Sequence, residues 1–250
     1  MIRVHVWAED KPLPDAKERM SRLYPFGIQG AIAEFLKEQP DMEVTVAVMA
    51  DENQGLSGKI LDRTDVLVYW SHKYWKEISE DTVNYIHRRV LEGMGIIILH
   101  SAHASKIFSR LMGTRTQSLR WREADERQRY WIVAPGHPIT YGLEGEYFEV
   151  PMDETYAEYF EIPQPEEQIF ITSTQGGEIL RSGNCWKRGL GRIFYFQAGH
   201  ETYPVYYQKE VRQIITNAVR WAYTEIKPKN WPDWARETGP ADTVCRDGVY

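Results

Sequence analysis

The sequence predicts an α/β fold in which a doubly wound, mostly parallel sheet carries helices on both faces. Short apolar runs alternate along the chain with segments whose apolar residues recur three and four positions apart. The runs at residues 66–70 and 96–99 are apolar throughout, which is typical of strands covered on both faces. Alternating strands and helices require crossover connections, and crossovers join parallel strands.

The first half of the chain supplies most of these elements. Apolar and polar residues alternate over residues 2–7, and the strand leads into a long polar loop. The spacing of apolar residues then predicts a helix over 28–36, and a second helix begins after Ser79, a suitable N-terminal cap, and stops at Gly93. Five strands are expected to share one parallel sheet, at residues 2–7, 44–48, 66–70, 96–99 and 192–197.

The second half is less regular. Residues 113–165 indicate an insertion of short strands packed beside the sheet, residues 169–172 return to strand character, and residues 211–222 form a final amphipathic helix. Residues 227–250 are rich in Pro, Asp and Gly. We therefore expect a single domain over residues 1–226, followed by an irregular C-terminal tail at 227–250.

Composition excludes several classes of protein. The 250 residues carry a formal net charge of -6 with a sequence pI of about 5.7. The sequence contains no Lys/Arg cluster of the kind that binds nucleic acid, which argues against such a partner. The two cysteines, Cys185 and Cys245, cannot form a disulfide framework. No signal peptide or membrane-spanning run is apparent, so we expect a cytoplasmic protein that binds neither nucleic acid nor membrane.

Histidines follow three of the predicted strands. His72, His100 and His200 each come directly after a strand, and His103 follows shortly after His100. In a doubly wound sheet the carboxyl ends of parallel strands lie on one side, where ligands bind. We therefore expect these four side chains to face one crevice. They could transfer protons, or His100, His103 and His200 could hold a divalent metal, with zinc favoured by imidazole ligands. No nucleotide cofactor is expected.

Other residues could join this site. Ser101 lies near the position of a nucleophile in related strand-to-helix turns, but the Gly-x-Ser-x-Gly pattern is absent, and the residue could instead cap the next helix. Glu201 could orient the neighbouring His200. Alternate residues of an extended segment share one side, so Glu154, Tyr156 and Glu158 could project together toward the histidines.

Several segments resemble the ThuA-like, or trehalose utilisation, family. The resemblance extends from the first strand to Trp221, and its motifs are residues 24–28 (YPFGI), 93–106 (GMGIIILHSAHASK), 111–114 (LMGT), 176–178 (GGE), 181–183 (RSG) and 193–204. It implies the flavodoxin-like fold of class I glutamine amidotransferases without their cysteine nucleophile, which excludes glutamine amidotransferase chemistry. Members often carry histidines at the positions of Gln29 and Trp75, and this chain departs from them there.

The resemblance implies a role in disaccharide use, beside a dehydrogenase that makes 3-keto sugars. In one interpretation the protein is an enzyme in which His100, His103 and His200 move a proton or polarise a carbonyl, with Glu154 as base. In another it binds a sugar without catalysis, and aromatic residues line the crevice. An amidohydrolase using Ser101 and His200 is a third interpretation.

The expected partner is a small sugar ligand, and the chain is expected to be a homo-oligomer. The residues expected to contact the sugar are His72, Trp70, Trp75, Tyr156, Glu158 and Tyr203.

Overall fold

The computed structural model describes residues 1–225, so the tail expected at 227–250 lies outside the described residues. Within residues 1–225 the strands form one nine-stranded sheet. The strands are β1 (Ile2–Ala8), β2 (Met42–Val48), β3 (Val66–Trp70), β4 (Gly95–Leu99), β5 (Arg120–Ile132), β6 (Tyr147–Ala157), β7 (Glu167–Thr174), β8 (Ile179–Arg188) and β9 (Gly191–Phe196). The helices are α1 (Lys17–Leu23), α2 (Gly27–Lys37), α3 (Gly58–Leu61), α4 (Glu80–Leu91), α5 (Lys106–Met112) and α6 (Lys209–Ala222).

The sheet has the strand order β2-β1-β3-β4-β9-β8-β7-β5-β6. The five strands from β2 to β9 pair in parallel, which confirms that the five predicted strands share one parallel sheet. The expectation of a mostly parallel sheet is nevertheless wrong for the whole, because the pairings from β9 to β6 are antiparallel. The antiparallel pairing of β8 with β9 follows from the short turn between them, because parallel neighbours need a longer crossover connection.

Helices cover both faces of the parallel half. Successive residues of β4 point to opposite faces, so that Ile97 and Leu99 pack with α2 and α6, whereas Ile96 and Ile98 pack with α4 and α5. Ser79 caps α4 by accepting a hydrogen bond from the backbone N–H of Thr82, as expected. Among residues 1–225, no helix combines the length and the apolar character needed to cross a bilayer.

The segment expected to form short strands beside the sheet instead extends the sheet. Within it, β5 is 13 residues long and β6 is 11, and they pair with each other along most of their length. β5 carries charged residues on a half-exposed surface, so its sequence lacks the apolar run of a buried strand. The β5–β6 pair places β6 beside the carboxyl ends of β4 and β9.

Candidate functional site

The turn after β4 delivers His100 to the edge of the sheet. His100 has a φ of +49°, in the left-handed region, and it begins a short 3₁₀ helix that ends at Ala104. A strained residue between strand and helix is the geometry of a nucleophile elbow. His100, and not Ser101, holds that position. Ser101 is also not the cap of α5, because Ser105 accepts the hydrogen bond from Phe108 N–H.

His100 is fully buried between two hydrogen-bond acceptors. Its Nδ1 lies 2.6 Å from the carbonyl oxygen of Gln197, and its Nε2 lies 3.0 Å from Oε2 of Glu154. The carbonyl oxygen can only accept, so Nδ1 carries a hydrogen, and Nε2 lies between the Glu154 carboxylate and the Tyr156 hydroxyl, which is 3.3 Å away. The ring also stacks on Tyr156, with ring centroids 4.8 Å apart.

Electrostatics agree with a charged His100–Glu154 pair. Burial lowers the pKa of His100. The hydrogen bond and charge of Glu154, together with the charge of Asp153, raise the pKa by more than burial lowers it, so it lies above its ordinary value. Burial raises the pKa of Glu154, whereas His100 and the charge of His200 lower it more strongly, to about 2. The pair is therefore an imidazolium beside a carboxylate.

The turn after β9 holds His200, and the residue that holds this turn in place was not found by sequence analysis. Asp153, fully buried on β6, accepts hydrogen bonds from the backbone N–H groups of Gly199 and His200 at 2.9 and 3.0 Å. Gly199 has a φ of +133°, and a side chain there would collide with Tyr206. Asp153 is separated from its partners by more than forty residues, so no local pattern could reveal it.

Thr202 holds Nδ1 of His200 through two contacts. Its backbone N–H donates to Nδ1 at 3.3 Å, its hydroxyl oxygen lies 2.8 Å from the same nitrogen, and that hydroxyl donates to the Glu123 carboxylate at 3.0 Å. These contacts fix the orientation of the ring, with Nε2 toward the carboxylates of Glu201 and Glu154. Burial lowers the pKa of His200, although the charge of Glu201 raises it, and the net lowering agrees with a neutral ring.

His72 and Glu201 lie next to His200. His72 Nδ1 lies 2.5 Å from Glu201 Oε1, and its ring centroid is 5.2 Å from that of His200. The buried carboxylate of Glu9 holds the turn that carries His72, because it accepts hydrogen bonds from the backbone N–H groups of His72 and Lys73. Burial raises the pKa of Glu201, but the bond from His72 and the charges of His200 and His72 lower it below its ordinary value.

Some of the expected site residues lie elsewhere. His103 is separated from His100 by the ring of Tyr156, and its Nδ1 donates to the Thr116 carbonyl at 2.9 Å. Burial lowers its pKa to about 4, so it is neutral. His72, His100 and His200 therefore lie together, and His103 lies outside this cluster. Among the described residues, neither group able to hold a metal ion includes His103, so a metal bound by His100, His103 and His200 does not fit the structure.

Glu158 also departs from the expectation. Its carboxylate forms an ion pair with Arg181 at 2.9 Å and accepts the backbone N–H of Phe160, so it does not reach the histidines. Glu154 and Tyr156 do reach them. Alternate side chains of β6 therefore point toward the histidines as far as Tyr156. Glu158 does not, because it pairs with Arg181 instead.

The aromatic residues differ in their exposure. Trp70 is buried and donates from its ring nitrogen to the Gly199 carbonyl at 3.0 Å, so it supports the His200 turn and offers no face to a sugar. Tyr203 is buried with its ring 5.7 Å from that of His200. Trp75 is half-buried beneath the Lys76 ammonium. Trp121 is 61% exposed, and the sequence analysis did not select it.

Two overlapping groups of side chains could hold a cation. One contains His72, His200 and Glu201, and the other contains His100, Glu154 and His200; in each group the ligand atoms lie within 4.8 Å of one another. Within the described residues, Ser101 makes no hydrogen bond to a histidine, so no nucleophile–base pair is formed there. The site can bind a cation, transfer protons and stabilise charge.

The fold and the site define the class of protein. It is an α/β protein with a mixed sheet and a cluster of histidines and carboxylates at the carboxyl ends of the parallel strands. The chain belongs to the ThuA family, described as trehalose utilisation, whose sequence pattern matches residues 3–222. No protein with a curated description matches the chain.

Solved structures of low sequence identity share the fold. A ThuA-like protein from Parabacteroides merdae is 14% identical with a TM-score of 0.63, and the match covers 93% of both chains. A cytoplasmic protein from Salmonella typhimurium is 12% identical with a TM-score of 0.55, and the match covers 90% of this chain and 100% of that one. A β-galactosidase from Rahnella sp. R3 is 11% identical with a TM-score of 0.57, and the match covers 88% of this chain but 31% of that one. At these identities the likeness shows the fold alone.

Proposed function

We propose that this protein is a cytoplasmic enzyme of disaccharide use that removes a proton next to the carbonyl group of a 3-keto-disaccharide or a related keto sugar. The observation that carries the proposal is the buried Glu154 carboxylate, held 3.0 Å from the His100 cation and 3.8 Å from Nε2 of His200. Membership of the trehalose utilisation family supports the substrate class.

In this proposal Glu154 is the base. A keto group acidifies the hydrogen on the adjacent carbon, and the Glu154 carboxylate takes that proton. The electron pair of the C–H bond becomes the C=C bond of an enediolate, and the electron pair of the carbonyl moves onto its oxygen. Return of the proton from Glu154 to the former carbonyl carbon, with transfer of the hydroxyl hydrogen of the enediolate to the oxygen that carries the negative charge, completes an isomerisation with no net change of charge. Since its pKa is lowered to about 2, Glu154 is ionised at neutral pH.

His100 acts as a positioning residue for Glu154. Its two N–H groups donate to Gln197 and Glu154, so the ring is fixed at both ends and its positive charge stays next to the carboxylate. Two side-chain amides, those of Gln128 and Gln197, donate to the backbone carbonyl of Glu154 and hold the strand. A fixed base close to the reacting carbon lowers the entropic cost of reaction.

The carbonyl oxygen of the substrate would lie on the side of His200 and His72. His72 is the most exposed member of the cluster, with 10% of its side chain accessible, whereas those of His200 and Glu154 are 4% and 5% exposed. Substrate would therefore enter over His72 and meet Glu154 beyond it. The oxygen that gains negative charge then faces groups that can stabilise it.

Paired kinetics on a 3-keto-disaccharide test this proposal. Glu154→Gln removes the base while preserving the shape of the side chain, and we expect kcat to fall by about 10²–10⁴-fold with a folded protein. Glu158→Gln is the matched control, a carboxylate on the same segment that pairs with Arg181, and it should keep the wild-type kcat. Equal kcat in wild type and Glu154→Gln would refute the proposal. Sugar binding by wild type without turnover would favour a non-catalytic sugar-binding protein.

A further inference from the structure

Three ligand groups converge on one point beside the His100–Glu154 pair. They belong to His72, His200 and Glu201, one ligand atom from each lies within 4.8 Å of the others, and His200 Nε2 is 3.5 Å from Glu201 Oε2. In a tetrahedral zinc site with bonds of roughly 2.0–2.1 Å, neighbouring ligand atoms are about 3.3 Å apart. We propose that His72, His200 and Glu201 bind one divalent cation, with zinc as the preferred ion.

Two of these atoms have no partner in the cluster. Oε2 of Glu201 is buried and accepts no hydrogen bond from the described residues, and the Glu201 side chain is 2% exposed. An unsatisfied buried carboxylate oxygen is costly. The atom opposite is Nε2 of His200, 3.5 Å away, which forms no hydrogen bond with the described residues. A cation between the two atoms would satisfy the carboxylate oxygen and be bound by the ring nitrogen.

Thr202 supports His200 from the side away from the proposed ion. In a metal-binding histidine, the ring nitrogen that does not bind the metal forms a hydrogen bond that orients the ring. Here Nδ1 of His200 contacts the Thr202 hydroxyl at 2.8 Å and the Thr202 backbone N–H at 3.3 Å, which leaves Nε2 directed toward Glu201. Two histidines and one glutamate form a zinc ligand set that leaves a fourth position for water or substrate.

The neighbouring group of His100, Glu154 and His200 is a poorer site. Both nitrogens of His100 already donate to Gln197 and Glu154, so neither has a lone pair for a metal. At His72, the proton now held between Nδ1 and Glu201 Oε1 would leave to solvent when the ion binds.

The ion would stabilise the oxygen that becomes negative when Glu154 removes the proton. That role rests on the proposed function, whereas binding of the ion rests on the ligand geometry alone. The two can fail separately, because metal binding is measured without substrate.

Calorimetric titration of tag-free, chelator-treated protein with Zn²⁺ tests the inference. We expect wild type to bind one ion per chain, and His200→Gln and Glu201→Gln to lose this stoichiometric binding. Thr202→Val removes only the support of His200 and should weaken binding by about 10–100-fold. His87→Gln, a histidine on α4 outside the cluster, is the matched control and should bind as wild type does.

Titration of wild type with Co²⁺ is a second measurement that does not depend on any variant folding. A visible absorption band of a four-coordinate site, competed away by one equivalent of Zn²⁺, supports the assignment. Failure of wild type to bind either ion overturns it, whatever the activity on keto sugars. Undiminished binding to a folded His200→Gln variant also overturns it, since the ion would then lie elsewhere.

Discussion

The orientation of His200 is the residue-scale feature on which the site depends. Thr202 holds Nδ1, so that Nε2 faces the carboxylates of Glu201 and Glu154 at 3.5 and 3.8 Å. Burial lowers the pKa of His200, whereas the pKa of His100, whose ring centroid is 5.4 Å away, is raised because Glu154 and Asp153 outweigh the effect of burial. The surroundings of the two histidines therefore favour different protonation states.

Ser101 provides a residue-scale prediction. It lies next to the elbow but forms no hydrogen bond to a histidine among the described residues, so it has no base to activate it. We expect Ser101→Ala to lower kcat on a 3-keto-disaccharide by less than about tenfold, which corresponds to under 1.4 kcal/mol of barrier. Steady-state kinetics beside Glu154→Gln measure the difference. An inactive but folded Ser101→Ala variant would point to a serine nucleophile instead.

The three histidines at the strand ends could be predicted from the sequence. Parallel strands end on one side of a sheet, so His72, His100 and His200 could be placed together from strand positions alone. Asp153 and Glu9 could not be found this way, because each is one acidic residue among many and its partners lie far along the chain. His103 was misplaced because the ring of Tyr156, from another strand, separates it from the cluster.

At the scale of elements, the turn from β4 to α5 sets the geometry of His100. The 3₁₀ segment from His100 to Ala104 separates strand and helix, and Ser105 starts α5 with a capping hydrogen bond of 3.2 Å to Phe108 N–H. The sequence analysis offered Ser101 as a possible cap of this helix. The extra 3₁₀ turn, which the sequence pattern does not reveal, decides in favour of Ser105.

Removal of this cap should destabilise the protein. Ser105 is 1% exposed, so Ser105→Ala leaves a buried N–H without its acceptor, and we expect the free energy of unfolding to fall by about 1 kcal/mol. Urea denaturation monitored by circular dichroism measures the change, with Ser101→Ala as the matched serine variant. A larger loss in Ser101→Ala than in Ser105→Ala would contradict the assignment of the cap.

At the scale of the whole molecule, the sheet is built from two halves of different character. The parallel half was predictable because its buried strands, β3 and β4, are continuously apolar. The antiparallel half was not, because β5 is a charged strand whose partners in β6 lie 16 to 37 positions away along the chain. That half carries Glu154 and Asp153, so part of the site comes from the region of the fold that sequence patterns reveal least.

The joining of these halves places a carboxylate from β6 against histidines from β4 and β9. Proton removal by Glu154 is the central claim, and exchange of hydrogen for deuterium measures it directly. A 3-keto-disaccharide is incubated with the protein in D₂O and followed by ¹H NMR. We expect wild type and Glu158→Gln to replace the hydrogen next to the keto group with deuterium, and Glu154→Gln to do so about 10²–10⁴-fold more slowly. Exchange at the wild-type rate in a folded Glu154→Gln variant, or no enzyme-dependent exchange by wild type, would contradict the account.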